Sequence, residues 1–276
     1  MSSRPVSISA RTPVVKVAAV ESVMKPKPAK IAMLKKKIRI GKSIAVYEKD
    51  ILDLITEYSD VFADENEPLG KTDAVEFDVD TRSHPPVAYQ KYRTPYLLRT
   101  QLKQIIDKNL QNGLMEVCSS PWAAPTLLVK IANETWRLVV DYSKLNQVTT
   151  ADCYPLPEIN ECVNKLAESK MFSTTDLFPR FHLIPTTEEA KQKLVVITDF
   201  GQYTWRRMPM RAKNCPSVFQ RMMDKGFRSM PLSVLVIYLD DIVIHSKTNQ
   251  EHVLQLSNMF KILQKIIFKS AQIKQS

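Results

Sequence analysis

The chain has 276 residues, of which 44% are hydrophobic and five are glycine, so most of it is expected to fold around a real core. The net charge of +10 resides in the first 46 residues, where eleven Lys and Arg accompany one acid, Glu21. The remaining 28 basic and 28 acidic residues cancel, so the folded part is not basic as a whole. The longest apolar run, LSVLVIYL, is too short to span a bilayer, and no secretory signal is present.

Residues 1–46 form a basic leader that is rich in Pro, Ser, Ala and Lys, and we predict that it is mostly disordered. It could bind polyanions, act as a transit peptide or serve as a plain solvated linker, and the sequence leaves these alternatives open. The four cysteines form no CxxC pair and fit a reducing setting. We therefore expect an intracellular protein, cytoplasmic or nuclear, that is not secreted and binds no membrane; the sequence does not indicate its oligomeric state.

The first half of the chain predicts two helices and two strands. The segment 47–84 comprises a helix in DILDLITEYSDVF and the beginning of an extended, proline-bearing stretch that runs to residue 95. YLLRTQLKQIIDKNLQNG has helical spacing and ends at Gly113, a typical C-terminal stop. SSPWAAPTLLVK and TWRLVVDY predict two strands joined by IANE.

The second half alternates strand and helix patterns in the same way. LVVITDFGQYTWRRM predicts a hairpin, and CPSVFQRMMDKGF predicts a helix with Pro216 near its first turn. Thr248 and Glu251 have the spacing of a capping box before a last amphipathic helix. Short strands interleaved with helices indicate an α+β fold.

The stretch VLVIYLDDIVIHS places Asp240 and Asp241 between two apolar, β-branched runs. One interpretation is a hairpin tip whose two carboxylates face solvent. The alternative is a divalent cation, because two carboxylates about 4 Å apart repel by roughly 4 kcal/mol at an effective dielectric of 20. Mg²⁺ uses one or two protein carboxylates and completes its shell with water and substrate phosphates.

A third carboxylate, Asp176, lies in the strand-like segment FSTTDLF. Three aspartates from neighbouring strands could hold two metal ions, the arrangement that stabilises both the attacking and the leaving oxygen in phosphoryl transfer. The metal interpretation therefore gains weight over the plain turn.

Several motifs occur in the order found in reverse transcriptases: SPWAAPTLLVK, WRLVVDYSKLN, DCYPLPEIN, FSTTDLFPRFHLI, RMPMRAKNCPSVFQRMM and YLDDIVIHS. Over roughly residues 50–270 the chain resembles the polymerase of gypsy-type long-terminal-repeat retrotransposons. The resemblance implies the fingers and palm of a right-handed polymerase in residues 85–276. The fingers would occupy about 85–151 and 184–213, and the palm about 152–183 and 214–276. The thumb and RNase H domains of the family are not expected in this chain.

The resemblance also implies roles for particular residues. Asp176, Asp240 and Asp241 match the catalytic carboxylates, with Asp176 and Asp240 as the main metal ligands. The matches to nucleotide-binding residues are Lys130 and Arg137 for the triphosphate, Phe181 for the aromatic gate over the sugar, and Gln220 for the helix under the template base. Without the resemblance, each of these would be an ordinary surface cation, core aromatic or helix residue.

The implied activity is RNA-directed DNA polymerisation by a fragment of a Pol polyprotein. It would use two Mg²⁺ ions, which Mn²⁺ can replace, an RNA or DNA template with a primer, and deoxynucleoside triphosphates. A non-catalytic nucleic-acid-binding remnant is the alternative, because Arg180 and Arg211 stand where the family has glycine. Pro179 also removes a backbone N–H beside the triphosphate. We expect impaired activity.

Overall fold

The computed structural model describes residues 30–32, 34, 38, 41, 46–62, 70–131, 135–176, 181–239 and 241–268, with only the backbone of Asp176, Ile267 and Phe268. Contacts divide the chain into two compact units, Met1–Asp64 and Glu65–Ser276. This boundary falls inside the predicted segment 47–84. Most of the predicted leader and three residues of the IANE connection, 132–134, lie outside the described residues; residues 30–32 and 34 are helical.

The described part of the first unit contains the helix predicted from DILDLITEYSDVF. This helix, α1, spans Glu48–Glu57 and buries Ile51 and Ile55. The buried pair is four residues apart and therefore lies on one face of the helix. A 3₁₀ turn, Ser59–Val61, follows it.

The described part of the second unit contains six α-helices, eight strands and two 3₁₀ turns, Tyr96–Leu98 and Phe181–Leu183. Its helices are α2 (Arg99–Gln111), α3 (Ser143–Val148), α4 (Ile159–Leu166), α5 (Glu188–Lys193), α6 (Cys215–Gly226) and α7 (Asn249–Phe268). Its strands are β1 (Met115–Val117), β2 (Ala124–Lys130), β3 (Trp136–Val140), β4 (Met171–Asp176), β5 (Val195–Thr198), β6 (Gly201–Trp205), β7 (Leu235–Tyr238) and β8 (Asp241–Ser246). Gly113 follows α2 with φ 65°, as expected for a glycine that ends a helix.

Five strands form one sheet in the order β1-β6-β5-β2-β3. β2 and β5 are parallel, and the other neighbours are antiparallel. The predicted β2–β3 pair and the predicted β5–β6 hairpin are both confirmed. Residues 70–98 are largely extended; within them, Thr72 N–H donates to the carbonyl of Leu183 (3.0 Å) and Phe77 N–H to that of Pro185 (2.8 Å).

The other three strands form an antiparallel sheet in the order β4-β8-β7. Its central strand, β8, buries Ile242 and Ile244 completely, which explains the apolar residues on either side of the aspartates. Helices α6 and α7 pack on this sheet. Half of the predicted capping box forms, since Glu251 N–H donates to Thr248 Oγ1 (3.3 Å). None of the helices in the described ranges is long and apolar enough to cross a membrane.

Candidate active site

Strands β7 and β8 form a hairpin with a tight connection that begins at Leu239. Tyr238 ends β7 and pairs with Asp241, the first residue of β8. One interpretation of the sequence placed Asp240 and Asp241 together at the tip. The structure places the loop one residue earlier, so that Asp241 belongs to the strand ladder and is solvent-exposed. Asp240 lies outside the described residues.

Asp176 is the last residue of β4, and the register pairs it directly with Asp241 of β8. The Cα atoms of such antiparallel pairs lie about 4.5–5.5 Å apart. The structure thus brings Asp176 and Asp241 together at one end of the three-stranded sheet, and Asp240 precedes Asp241 in the chain. This juxtaposition agrees with the sequence prediction that acids from neighbouring strands converge.

Leu239 has φ 54°, in the left-handed region that residues with a Cβ avoid. Two-residue hairpin loops commonly require positive φ, and Gly, Asn and Asp usually supply it. A leucine there costs about 1–2 kcal/mol. The turn that leads into Asp240 and Asp241 is therefore strained, and other contacts must hold it.

Gln220 of α6 supplies such contacts. Leu239 N–H donates to Gln220 Oε1 (3.0 Å), and Gln220 Nε2 donates to Asp224 Oδ1 (2.9 Å) and, over 3.5 Å, to the carbonyl of Ile237. The sequence predicted a nucleotide contact for Gln220. The structure instead buries its side chain completely against the hairpin, because both ends of the amide have protein partners.

The Gln220 contacts extend to the segment before α4. Tyr154 O–H donates to Asp224 Oδ2 (2.7 Å), and this hydrogen bond raises the pKa of Tyr154. Arg221 lies over the Tyr154 ring, 4.8 Å from its centroid, and its Nη2 donates to both oxygens of Asp152 (2.7 and 2.8 Å). We call Asp152, Tyr154, Gln220, Arg221 and Asp224 the Gln220 network.

Phe181 packs edge-to-face on Phe219, the neighbour of Gln220 in α6, with ring centroids 5.4 Å apart. Phe219 is completely buried, whereas Phe181 is half-buried. The predicted gate aromatic is therefore anchored on the same helix that contacts the aspartate hairpin.

Next to Phe181, His182 stacks on Trp205 with centroids 5.4 Å apart. Burial lowers the pKa of His182 to about 4, against a weaker opposing effect from its contact with the carbonyl of Met208. His182 is therefore neutral at pH 7 and belongs to the packing behind Phe181.

Lys130 and Arg137 lie at the end of the β2–β3 hairpin, and both are exposed. The register pairs Lys130 with Trp136 and Val129 with Arg137. Because successive residues of a strand alternate between faces, Lys130 and Arg137 emerge on opposite faces of the hairpin. The structure brings them to the same end of the sheet but not to one face.

Arg211 has φ 73°, the conformation that a glycine adopts without strain. Asn146 of α3 fixes this turn: its Nδ2 donates to the carbonyl of Arg211 (2.9 Å), and its Oδ1 accepts from Lys213 N–H (2.9 Å). The chain thus keeps the glycine-like turn although the residue is arginine. Pro179 and Arg180 lie outside the described residues.

The chemistry of the aspartates fits divalent cations, because carboxylate oxygens are the ligands that Mg²⁺ and Mn²⁺ prefer. In the described part of the chain, no group of three His, Cys, Asp or Glu residues is close enough to hold a metal ion. That part omits Asp240 and the side chain of Asp176, two of the three expected ligands. All four cysteines are free thiols.

Sequence reasoning missed the positioning part of the site. Asp152 and Tyr154 lie in DCYPLPEIN, which the sequence marks as a motif without indicating a partner. Arg221 and Asp224 lie on α6, and the spacing of four residues between Gln220 and Asp224 was a readable signal of their contact. The left-handed conformation of Leu239 has no sequence signal, because leucine does not favour it.

The family of the chain follows from comparison with known proteins. A family described as "Reverse transcriptase (RNA-dependent DNA polymerase)" matches residues 129–275, just over half of the chain. The Pol polyprotein of transposon opus from Drosophila melanogaster is 32% identical over 204 residues, which are 72% of this chain and 20% of that protein. The corresponding polyprotein of transposon gypsy is 29% identical over 222 residues, which are 78% of this chain and 21% of that protein.

The chain belongs to the reverse transcriptase family and is similar to the polymerases of long-terminal-repeat retrotransposons. It spans about a fifth of the length of these relatives.

Solved structures of foamy viral protease–reverse transcriptase have the same fold. The complex with an RNA/DNA hybrid has a TM-score of 0.75 at 21% identity and covers 96% of this chain and 34% of the viral chain. The complex with double-stranded DNA has a TM-score of 0.71 at 22% identity and covers 86% of this chain and 48% of the viral chain. The expected fold, α+β with fingers and palm of a polymerase, is confirmed.

Proposed function

We propose that this chain carries the nucleotidyl-transfer centre of an RNA-directed DNA polymerase, which adds deoxynucleotides to a primer. The observation that carries the proposal is the pairing of Asp176 with Asp241, with Asp240 next to it, in a chain of the reverse transcriptase family. An RNA or DNA template with a primer is the proposed partner. The foamy viral relatives in complex with an RNA/DNA hybrid and with double-stranded DNA support this choice.

The three aspartates would hold two Mg²⁺ ions, or Mn²⁺ in their place. When bound, the ions would stabilise the attacking and the leaving oxygen of the displacement at the α-phosphate. Asp176 and Asp240 would be the main ligands, and Asp241 would add negative charge beside them. Without cations this cluster is a net liability, so the folded state should gain stability when they bind.

Residues of the fingers and of α6 would position the deoxynucleoside triphosphate. Arg137 offers a planar fork and Lys130 a point charge for its phosphates. The ring of Phe181 would lie against the sugar, where an aromatic side chain leaves no space for a 2′-hydroxyl. Its edge-to-face contact with Phe219 would hold the ring in place.

Primer extension and metal-dependent melting test the proposal together. We expect Mn²⁺ to raise the melting temperature of the wild-type chain and Asp240→Asn to abolish both this rise and nucleotide incorporation. Asp107→Asn is the matched control, because Asp107 is an exposed carboxylate of α2 paired with Lys103 and is remote in sequence from the motifs. An equal Mn²⁺ response of wild type and Asp240→Asn would contradict the metal site.

The second candidate function is non-catalytic binding of nucleic acid. The observation that favours it is Arg211, which places a long side chain at a turn of glycine-like conformation. This candidate predicts that the chain binds a primed template and Mn²⁺ but incorporates no nucleotide. Recovery of incorporation in Arg211→Gly would return the assignment to an impaired polymerase.

A further inference from the structure

Outside the strand ladder, a side chain binds the turn of the β7–β8 hairpin at the backbone amide of Leu239. Leu239 N–H donates to Gln220 Oε1 over 3.0 Å. Leu239 is the residue with φ 54°, so the hydrogen bond is made at the strained position itself. A strained conformation persists only where its surroundings determine it.

Gln220 is suited to fix this turn because its own orientation is determined. Its side chain has 0% exposed surface. Its Oε1 faces an N–H donor, whereas its Nε2 faces the Asp224 carboxylate and the carbonyl of Ile237. If the amide were rotated by 180°, its oxygen would face two acceptors and its nitrogen would face a donor. Only the observed orientation therefore satisfies all its partners.

The outer part of the Gln220 network fixes Asp224 in turn. Tyr154 O–H donates to Asp224 Oδ2, and Arg221, which packs on the Tyr154 ring, binds Asp152 through both carboxylate oxygens. Asp152 N–H donates to Asn214 Oδ1 (3.0 Å), just before α6 begins. Tyr154 N–H also donates to Asp152 Oδ1 (3.0 Å), so hydrogen bonds connect the start of α6 to the aspartate hairpin through Asp152, Tyr154, Asp224 and Gln220.

We propose that Gln220 is a positioning residue that holds the Leu239 turn and thereby positions Asp240 and Asp241, which follow the turn, for cation binding. The role in cation binding rests on the proposed function, whereas the role in holding the turn does not. Gln220 would act through Leu239 and not by contact with nucleotide, because its side chain is completely buried.

Amide hydrogen exchange at Leu239 tests the structural half of the proposal. Loop amides outside a ladder normally exchange quickly. Because Leu239 N–H donates to buried Gln220, it should exchange at least about tenfold more slowly than an exposed amide in the wild-type chain. Gln220→Met preserves length and removes the acceptor, and exchange at Leu239 should accelerate at least tenfold. Gln202→Met is the matched control. Gln202 also bonds a backbone, accepting from Ser120 N–H and donating to its carbonyl, but it lies in β6 of the other sheet.

Mn²⁺ affinity, measured by electron paramagnetic resonance, tests the other half. We expect Gln220→Met to weaken Mn²⁺ binding about tenfold and Gln202→Met to leave it within twofold of wild type. If the wild-type chain binds no Mn²⁺, the proposed function fails, and exchange at Leu239 still decides whether Gln220 holds the turn.

Three results would overturn the inference. One is rapid exchange at Leu239 in the wild-type chain, which needs no variant and decides the matter even if Gln220→Met does not fold. The second is unchanged protection at Leu239 in folded Gln220→Met. The third is Mn²⁺ affinity equal to wild type in a Gln220→Met chain whose Leu239 amide has lost its protection.

Discussion

Replacing Arg211 by glycine should stabilise the protein, although it removes a side chain. Arg211 has φ 73°, and the left-handed conformation costs a residue with a Cβ about 1–2 kcal/mol. The turn cannot relax, because Asn146 bonds the backbone on both sides of it, at the Arg211 carbonyl and at Lys213 N–H. Arg211→Gly keeps both hydrogen bonds and removes the strain.

The greater backbone freedom of glycine in the unfolded chain reduces this gain in stability. Glycine loses more backbone freedom on folding than other residues, which costs roughly 0.5–1 kcal/mol. The net increase in the free energy of unfolding should therefore lie between about 0 and 1.5 kcal/mol, with a central value of about 0.75 kcal/mol. Urea unfolding at pH 7 measures it directly, and the melting temperature should rise by roughly 2–4 °C per kcal/mol in a chain of this size.

Two further variants separate strain from charge. Arg211→Ala removes the same cation and keeps the Cβ, so it should show no gain. Arg82→Gly is a positive control, because Arg82 is also an arginine with positive φ, 50°. Equal stability of Arg211→Gly and Arg211→Ala would refute the reasoning, since the effect would then come from the lost guanidinium alone.

Three other perturbations should give measurable changes. Burial lowers the pKa of His182 to about 4, below its usual value, so between about pH 6.5 and pH 4 the unfolded chain binds a proton that the folded chain does not. The free energy of unfolding should therefore fall on acidification. In His182→Phe, the fall between pH 7 and pH 5, measured by urea unfolding, should be smaller by about 2 kcal/mol. An unchanged fall would show that other groups cause it. A Cβ at Gly226, the last residue of α6, would clash with Cδ1 and Cγ1 of the Ile266 side chain. Overpacking costs about 1–3 kcal/mol, and the helix propensity of alanine offsets about 1 kcal/mol of it, so Gly226→Ala should destabilise the protein by about 1 kcal/mol in urea unfolding. Adding Ile266→Ala should cost less than the sum of the two single changes. Deleting residues 1–46 should weaken binding to single-stranded homopolymer and flatten its logarithmic salt dependence, because they carry the whole net charge; an unchanged slope would move the binding surface to the fingers.

The helices and strands that could be predicted from the sequence were those with a long apolar periodicity or with clear signals at their ends. Helix α2 shows apolar periodicity over three turns and a glycine stop, and the β5–β6 hairpin shows two apolar runs around a tight turn. In contrast, α5 has six residues and was not predicted, although Thr187 caps it by accepting from Ala190 N–H and acids occupy its first turn. Only the capping signal was available there, because so short a helix has no period to read.

Helix α4 shows a different limit. Ile159 and Val163 are spaced for a buried face, yet they are 61% and 58% exposed, and the residue that α4 buries is Cys162. Periodicity therefore shows that a helix is possible but not which face the tertiary structure covers. The same holds for the hairpin: the acids were found, but the loop begins one residue earlier because the pairing of Tyr238 with Asp241 determines the register.

Strain at the candidate site has a common structural solution. Among the described residues, the non-glycine positions with positive φ are Arg82, Arg211 and Leu239. At both positions in the polymerase motifs, a carboxamide from a neighbouring helix binds the backbone: Asn146 of α3 donates to the Arg211 carbonyl, and Gln220 of α6 accepts from Leu239 N–H. A carboxamide can donate and accept at once, so each side chain binds the strained residue and a second anchor, Lys213 in one case and Asp224 in the other.

Because these hydrogen bonds hold the backbone, the conformation of the turn does not depend on which residue occupies it. A glycine would adopt the turn at Arg211 unaided, and a side chain at that position is tolerated because Asn146 holds the backbone in the same shape. An arginine in place of a glycine at this turn therefore alters what projects from the turn and not the path of the chain. Arg211 would therefore affect activity through its projecting guanidinium, whereas substitution of Gln220 would act on the conformation of the aspartate hairpin itself.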